Sequence, residues 1–160
     1  SRPDVVKSLV ISASAAKVDN IGARILKNMK EILYWRDNWT EWARHSAHLF
    51  FSPKFFNDNP NVVKAVEEIV GEENRSKESY FHLNDTALAH DFRAQLSSIK
   101  CPTLIMAGLF DPICSIECAY EMKDNIPNSE LAIFENSSHF LLVEEYEKAI
   151  KMLDNWFANN

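Results

Sequence analysis

Apolar and polar positions change their spacing twice along this chain. "VVKSLVIS", residues 5 to 12, is β-branched and leucine-rich apart from Lys7, the pattern of a short strand buried in a parallel sheet. From about Ile21 to Leu96 the pattern turns helical with polar breaks. In "IGARILKNMKEILYW" the apolar residues Ile21, Ile25, Leu26, Met29, Ile32 and Leu33 keep close to a 3.6-residue period. "NWTEWARHSAHLFF" predicts a second helix rich in aromatic residues. "SPKFF" and "NDNPN" predict breaks, because proline restricts the residue before it and has no N–H to donate. "NPNVVKAVEEIVGEEN" predicts a third helix, with Asn59 or Asn61 near its start and Gly71 near its stop. "SKESYFHLNDTALAHDFRAQL" supplies one or two more short ones.

The spacing then changes again. "CPTLIMAG" is a continuous apolar strand ending in a glycine turn, and "SIECAYEMKDNIP" is an amphipathic helix stopped by Pro127. "SELAIFE" is another strand, and "LLVEEYEKAIKMLDNWFANN" a final helix. Strand and helix alternating through short connections is the pattern of parallel β/α units. Right-handed crossovers place these strands, with the one near residues 5–12, in a single sheet covered by helices. The expected organisation is α/β: residues 1–14 as a core strand, 15–95 as an inserted all-helical cap, and 96–160 as β/α core units.

Composition narrows the function. A net charge of -6 disfavours binding to nucleic-acid phosphates. No apolar run reaches the roughly 18 residues of a membrane-spanning helix. The opening stretch, interrupted by Lys7 and carrying Asp4, does not read as a signal peptide, so a cytoplasmic location is expected. Cys114 and Cys118 are four apart on an expected helix, a spacing compatible with one face, but no further ligands stand near them in sequence, so reduced structural thiols are expected and no metal. With only three glycines the chain has no GxGxxG, no P-loop and no GxSxG, and no cofactor is expected.

Loops at the C-terminal edge of a parallel sheet form ligand sites. "AGLFDPI" delivers Asp111 to that edge and "ENSSHF" delivers His139. A carboxylate beside an imidazole can fix its tautomer and stabilise its cation during proton transfer. The plainer alternatives stay open here: Asp111 before Pro112 as a turn residue, His139 as an exposed loop histidine. His45, His48, His82 and His90 match no ligand pattern and read as surface or satisfied core residues. Trp35, Trp39 and Trp42 read as cap core, and "EEYEK" as a solvated helix start.

"RPDVVKSLVIS" and "IKCPTLIMAGLFDPICSIECAYEMKDNIPNSELAIFENSSHFLLVEEYEKAIKMLDNWF" together resemble the C-terminal part of an α/β-hydrolase. Gly108, Asp111 and Pro112 match that family's G-x-x-D-P turn, which carries the acid of the triad. Ser137 and His139 match its S-x-H loop, with Ser138 where a small residue or glycine is usual. The resemblance implies a hydrolase of small esters, amides or related acyl compounds, with Asp111 and His139 catalytic. Phe110 and Phe140 would line the substrate pocket under the cap. Capped relatives with an aspartate nucleophile, epoxide hydrolases and haloalkane dehalogenases, are implied as variants, with Tyr34 and Tyr80 as candidates for the former.

The elbow that carries the family's nucleophile is not in this sequence. The expected reading is a C-terminal portion, beginning just after the nucleophile's helix, inactive alone and partnered by a nucleophile-bearing N-terminal half. The edge of the first strand would otherwise stay bare and favour self-association. The competing expectation is a relative that binds a ligand or associates with itself without catalysis.

Overall fold

The computed structural model describes residues 5–72 and 76–160. Three parallel strands, β1 (Leu9–Ser12), β2 (Thr103–Gly108) and β3 (Ser129–Phe134), form a sheet in the order β1-β2-β3. The register pairs Leu9 with Thr103 and Thr103 with Ser129. Every residue of β2 is buried, as a central strand covered on both faces must be. Its side chains alternate between two cores. Ile105 and Ala107 pack with Ala119, Met122 and Ile126 under α6 (Ile116–Asn125). Leu104 and Met106 pack with Phe134, Leu141, Ala149 and Trp156 under α7 (Leu141–Glu144) and α8 (Tyr146–Asn159). Each fully buried aliphatic side chain contributes on the order of 1.5–3 kcal/mol.

Between β1 and β2 the chain builds a helical cap from α1 (Asn20–Arg36), α2 (Trp39–Phe50), α3 (Pro53–Asp58), α4 (Pro60–Glu72) and α5 (Lys77–Ala89), closed by a 3-10 turn at Arg93–Ser98. Met29, Leu33, Trp42 and Ala43 form its core. The two ends of the insertion are pinned together, since Phe92 N–H donates to Ala16 O at 2.9 Å. None of the described helices is long and apolar enough to cross a membrane.

Four expectations need correction. The first strand runs only from Leu9 to Ser12, because its ladder partner starts at Thr103 and Pro102 before it has no N–H to extend the pairing. "SPKFF" is not only a break: residues Pro53–Asp58 are helical, with Ser52 capping Phe55 N–H at 3.3 Å and Pro53 in the first turn, where a missing N–H costs nothing. The final helix is divided at Glu145, whose φ and ψ of -120° and 49° belong to neither half. Of the cap tryptophans, Trp42 is buried and edge-on to Trp39 and Tyr80, but Trp35 is 79% exposed. Two residues past Leu33, it falls on the opposite side of a 3.6-residue helix.

Candidate active site

The two β2 and β3 exit loops touch at Gly108. A Cβ there would meet Ser138 O at 2.1 Å and Ser137 O at 2.7 Å, so only glycine lets the loops approach this closely. Beyond Gly108 the chain turns back, and Asp111 Oδ1 accepts from the N–H groups of Ile113 at 2.8 Å and Cys114 at 2.9 Å. These bonds leave Oδ2 pointing the other way, where it lies 2.8 Å from His139 Nδ1. An ionised carboxylate only accepts, so Nδ1 carries the proton and donates it. Nε2 is then a bare acceptor, and no described residue bonds to it. The Asp111 side chain is wholly buried while the His139 side chain is 23% exposed.

The histidine loop is held from several sides. Ser137 O accepts from Phe110 N–H at 3.0 Å, and Phe140 N–H donates to Phe50 O at 2.9 Å. Ser138 Oγ lies 3.1 Å from both Leu49 O and Phe110 O. Two carboxylates from the α7–α8 junction reach back under it. Glu144 accepts from Ser138 N–H at 2.7 Å, and Glu145 from Ser137 Oγ at 2.7 Å and Asn136 N–H at 3.2 Å. "EEYEK" therefore supports the loop instead of merely meeting solvent. An acidic pair in a continuous helical pattern carries no mark of such a turn.

A cavity of about 180 Å³ opens beside the pair, walled by Trp42, Ala47, Phe50, Val66, His139 and Phe140 among others. Phe140 stacks on Phe50 with centroids 4.7 Å apart, and Phe50 lies tilted 5.9 Å from the His139 ring. Phe110 is 50% exposed and is not one of these walls. The larger hollow, about 780 Å³ between β3 and α8, contains neither Asp111 nor His139. Of the other histidines, His45, His48 and His82 are exposed, and His90 Nε2 lies 3.1 Å from Ala15 O. Tyr34 is 65% exposed, while Tyr80 packs on Trp39 and Trp42.

Cys114, Asp111 and His139 bring a sulfur, an oxygen and a nitrogen within 4.8 Å of one another. Each of the three groups is already held in its own state. Burial, and then the negative charge of Asp111, push the Cys114 thiol up to about 12, so it keeps its proton at neutral pH. The carboxylate and Nδ1 are already spent on each other and on backbone N–H groups.

No family model matches this chain. It is 44% identical over 80 residues to a proline iminopeptidase of Clostridium botulinum, covering 50% of this chain and 27% of that protein. It is 27% identical over 143 residues to 3-oxoadipate enol-lactonase 2 of Acinetobacter baylyi, covering 89% of this chain and 51% of that protein. The chain thus spans about a quarter to a half of these curated relatives. Among solved structures, the α/β hydrolase MGS-M2 from a Medee basin deep-sea metagenome library superposes with a TM-score of 0.88 at 19% identity, over 98% of this chain and 57% of that one.

Proposed function

We propose that this chain, which belongs to the α/β-hydrolase fold family, supplies the acid and the base of a hydrolase for small esters, amides or related acyl substrates. The observation that carries this reading is the 2.8 Å bond from His139 to a buried Asp111, with no described residue bonded to the second ring nitrogen and His139 lining an apolar cavity. The names of the relatives, an iminopeptidase and a lactonase, support an acyl substrate.

His139 Nε2 takes the proton of a nucleophile as it attacks the acyl carbonyl. Asp111 holds the tautomer that makes this possible and stabilises the imidazolium that results. The imidazolium returns the proton to the leaving group, and a water molecule activated in the same way releases the acid. The cavity walls, Phe140 included, hold the acyl part and keep water from it. With no G-x-S-x-G in the sequence, the nucleophile and the oxyanion donors come from an N-terminal half outside these residues. The three free thiols support a reducing, cytoplasmic setting.

The test is His139→Ala in a protein carrying these residues together with its nucleophile. Hydrolysis of p-nitrophenyl acetate should fall by about four orders of magnitude, with the near-ultraviolet circular dichroism unchanged. Turnover undiminished in the variant would overturn the reading and favour a binding role.

A further inference from the structure

We infer that Glu144 is a positioning residue that locks the corner of the cap to the loop carrying His139, so that the cavity wall and the base are held as one body. The inference rests on His139 acting as the base. Glu144 spends one oxygen on each side: Oε1 accepts from Ser138 N–H at 2.7 Å, and Oε2 accepts from Ser52 N–H at 2.8 Å. Ser138 immediately precedes His139, whereas Ser52 lies at the α2–α3 corner of the cap, 92 residues away in sequence from Glu144. Ser52 and Ser138 are 0% and 1% exposed. Backbone donors so placed need an acceptor that water cannot supply, and among the described residues this carboxylate is the acceptor for both. Bonds to an ionised carboxylate are also shorter and stronger than neutral ones.

Two neutral bonds flank the bridge and make the corner continuous. Phe140 N–H donates to Phe50 O, and Ser138 Oγ reaches Leu49 O. Phe50 and Phe140 stack, and both wall the cavity into which His139 opens. Loosening the corner therefore changes the orientation of the base and the width of the cavity together. Glu145 provides an internal contrast. It holds the same loop through Asn136 and Ser137 and pairs with Lys148, and among the described residues it makes no bond to the cap.

The experiment measures kcat and KM for p-nitrophenyl acetate and p-nitrophenyl hexanoate in the catalytically competent protein, comparing Glu144→Gln with Glu145→Gln. The Glu144→Gln variant should lose about tenfold in kcat on the acetate. Its ratio of kcat/KM values should move towards the hexanoate by at least about threefold. The Glu145→Gln variant should keep the parent's ratio. An unmoved ratio in Glu144→Gln, or an equal movement in both variants, overturns the inference.

Should Glu144→Gln fail to fold, Ser52→Pro set against Ser52→Ala makes the same reading. The φ of Ser52 is -64°, which proline adopts. Both changes lose the capping hydroxyl and only the first loses the N–H. The same movement in Ser52→Pro is expected, and equal ratios in the two overturn the inference. A His139→Ala variant that keeps turnover defeats the underlying reading. An inactive His139→Ala beside an unmoved ratio in Glu144→Gln defeats this one alone.

Discussion

Asp111 serves two purposes because its two oxygens face different neighbours. As a turn residue it ties down Ile113 and Cys114, and as a hydrogen-bond partner it orients His139. The turn of "DPI" and the contact with His139 thus coexist in one side chain. An asparagine there must set its amide N–H₂ against backbone donors or against Nδ1–H. We expect Asp111→Asn to lower kcat by about four orders of magnitude and the unfolding free energy by about 1–3 kcal/mol. Steady-state kinetics and urea unfolding of the same samples would show this, and a kcat within tenfold of the parent would contradict it. Cys114 makes a second prediction. Its folded value near 12 lies above the ordinary thiol value, so the proton is favoured in the folded chain. The stabilisation is complete below about pH 8.5 and is lost as pH rises towards the folded value, at roughly 1.4 kcal/mol per pH unit. Urea unfolding at pH 8, 9 and 10 should show that loss in the parent and a shallower one in Cys114→Ala. Equal slopes would be evidence against it.

At the scale of elements, the sequence was legible wherever one period ran unbroken. The 3.6 spacing from Ile21 to Leu33 became α1, and the apolar run from Thr103 became β2. The C-terminal edge of the sheet then brought Asp111 and His139 together without any local signal linking them. What stayed hidden were features set by contacts distant in sequence. The turn at Glu145 exists because two adjacent carboxylates satisfy the histidine loop, and β1 is short because of a proline in its neighbour. Phe110 and Phe140 flank the two candidate residues alike in sequence, but only the latter reaches the cavity wall. Asp19 shows how two elements can share one side chain. Its Oδ1 caps α1 through Gly22 N–H at 2.8 Å, and its Oδ2 accepts from Ser115 Oγ at the start of α6, also at 2.8 Å. Asp19→Ala should cost about 1–2 kcal/mol, and Asp19→Asn, which keeps the capping oxygen, less. Urea midpoints of the two variants would decide the point; equal losses would mean that the cap is not what matters.

At the scale of the whole molecule, apolar side chains on α8 and its approach face solvent. Leu142, Val143, Tyr146, Ile150 and Phe157 are each 40% exposed or more. On the other side of the sheet β1 has β2 as its partner and no second one among the described residues. An apolar face and an open strand edge both favour association. Sedimentation velocity on the 160-residue chain should show a mass that rises with concentration, and addition of the proposed nucleophile-bearing half should suppress the rise. A constant monomer across the range would count against both contacts.

The pinning of the insertion at Ala16 and Phe92 has a consequence for engineering. The cap leaves and rejoins the core at nearly the same point, and residues 93–102 then cross back to the start of the parallel strand β2. The cap is therefore a graftable module, and a foreign roof could be spliced in without re-registering β1 against β2. The graft would have to reproduce two contacts with the core: the corner where Ser52 offers an N–H and Leu49 and Phe50 their carbonyls, and the start of α1, where Asp19 meets Ser115 and Ile25 and Leu26 pack near Ile113 and Cys118.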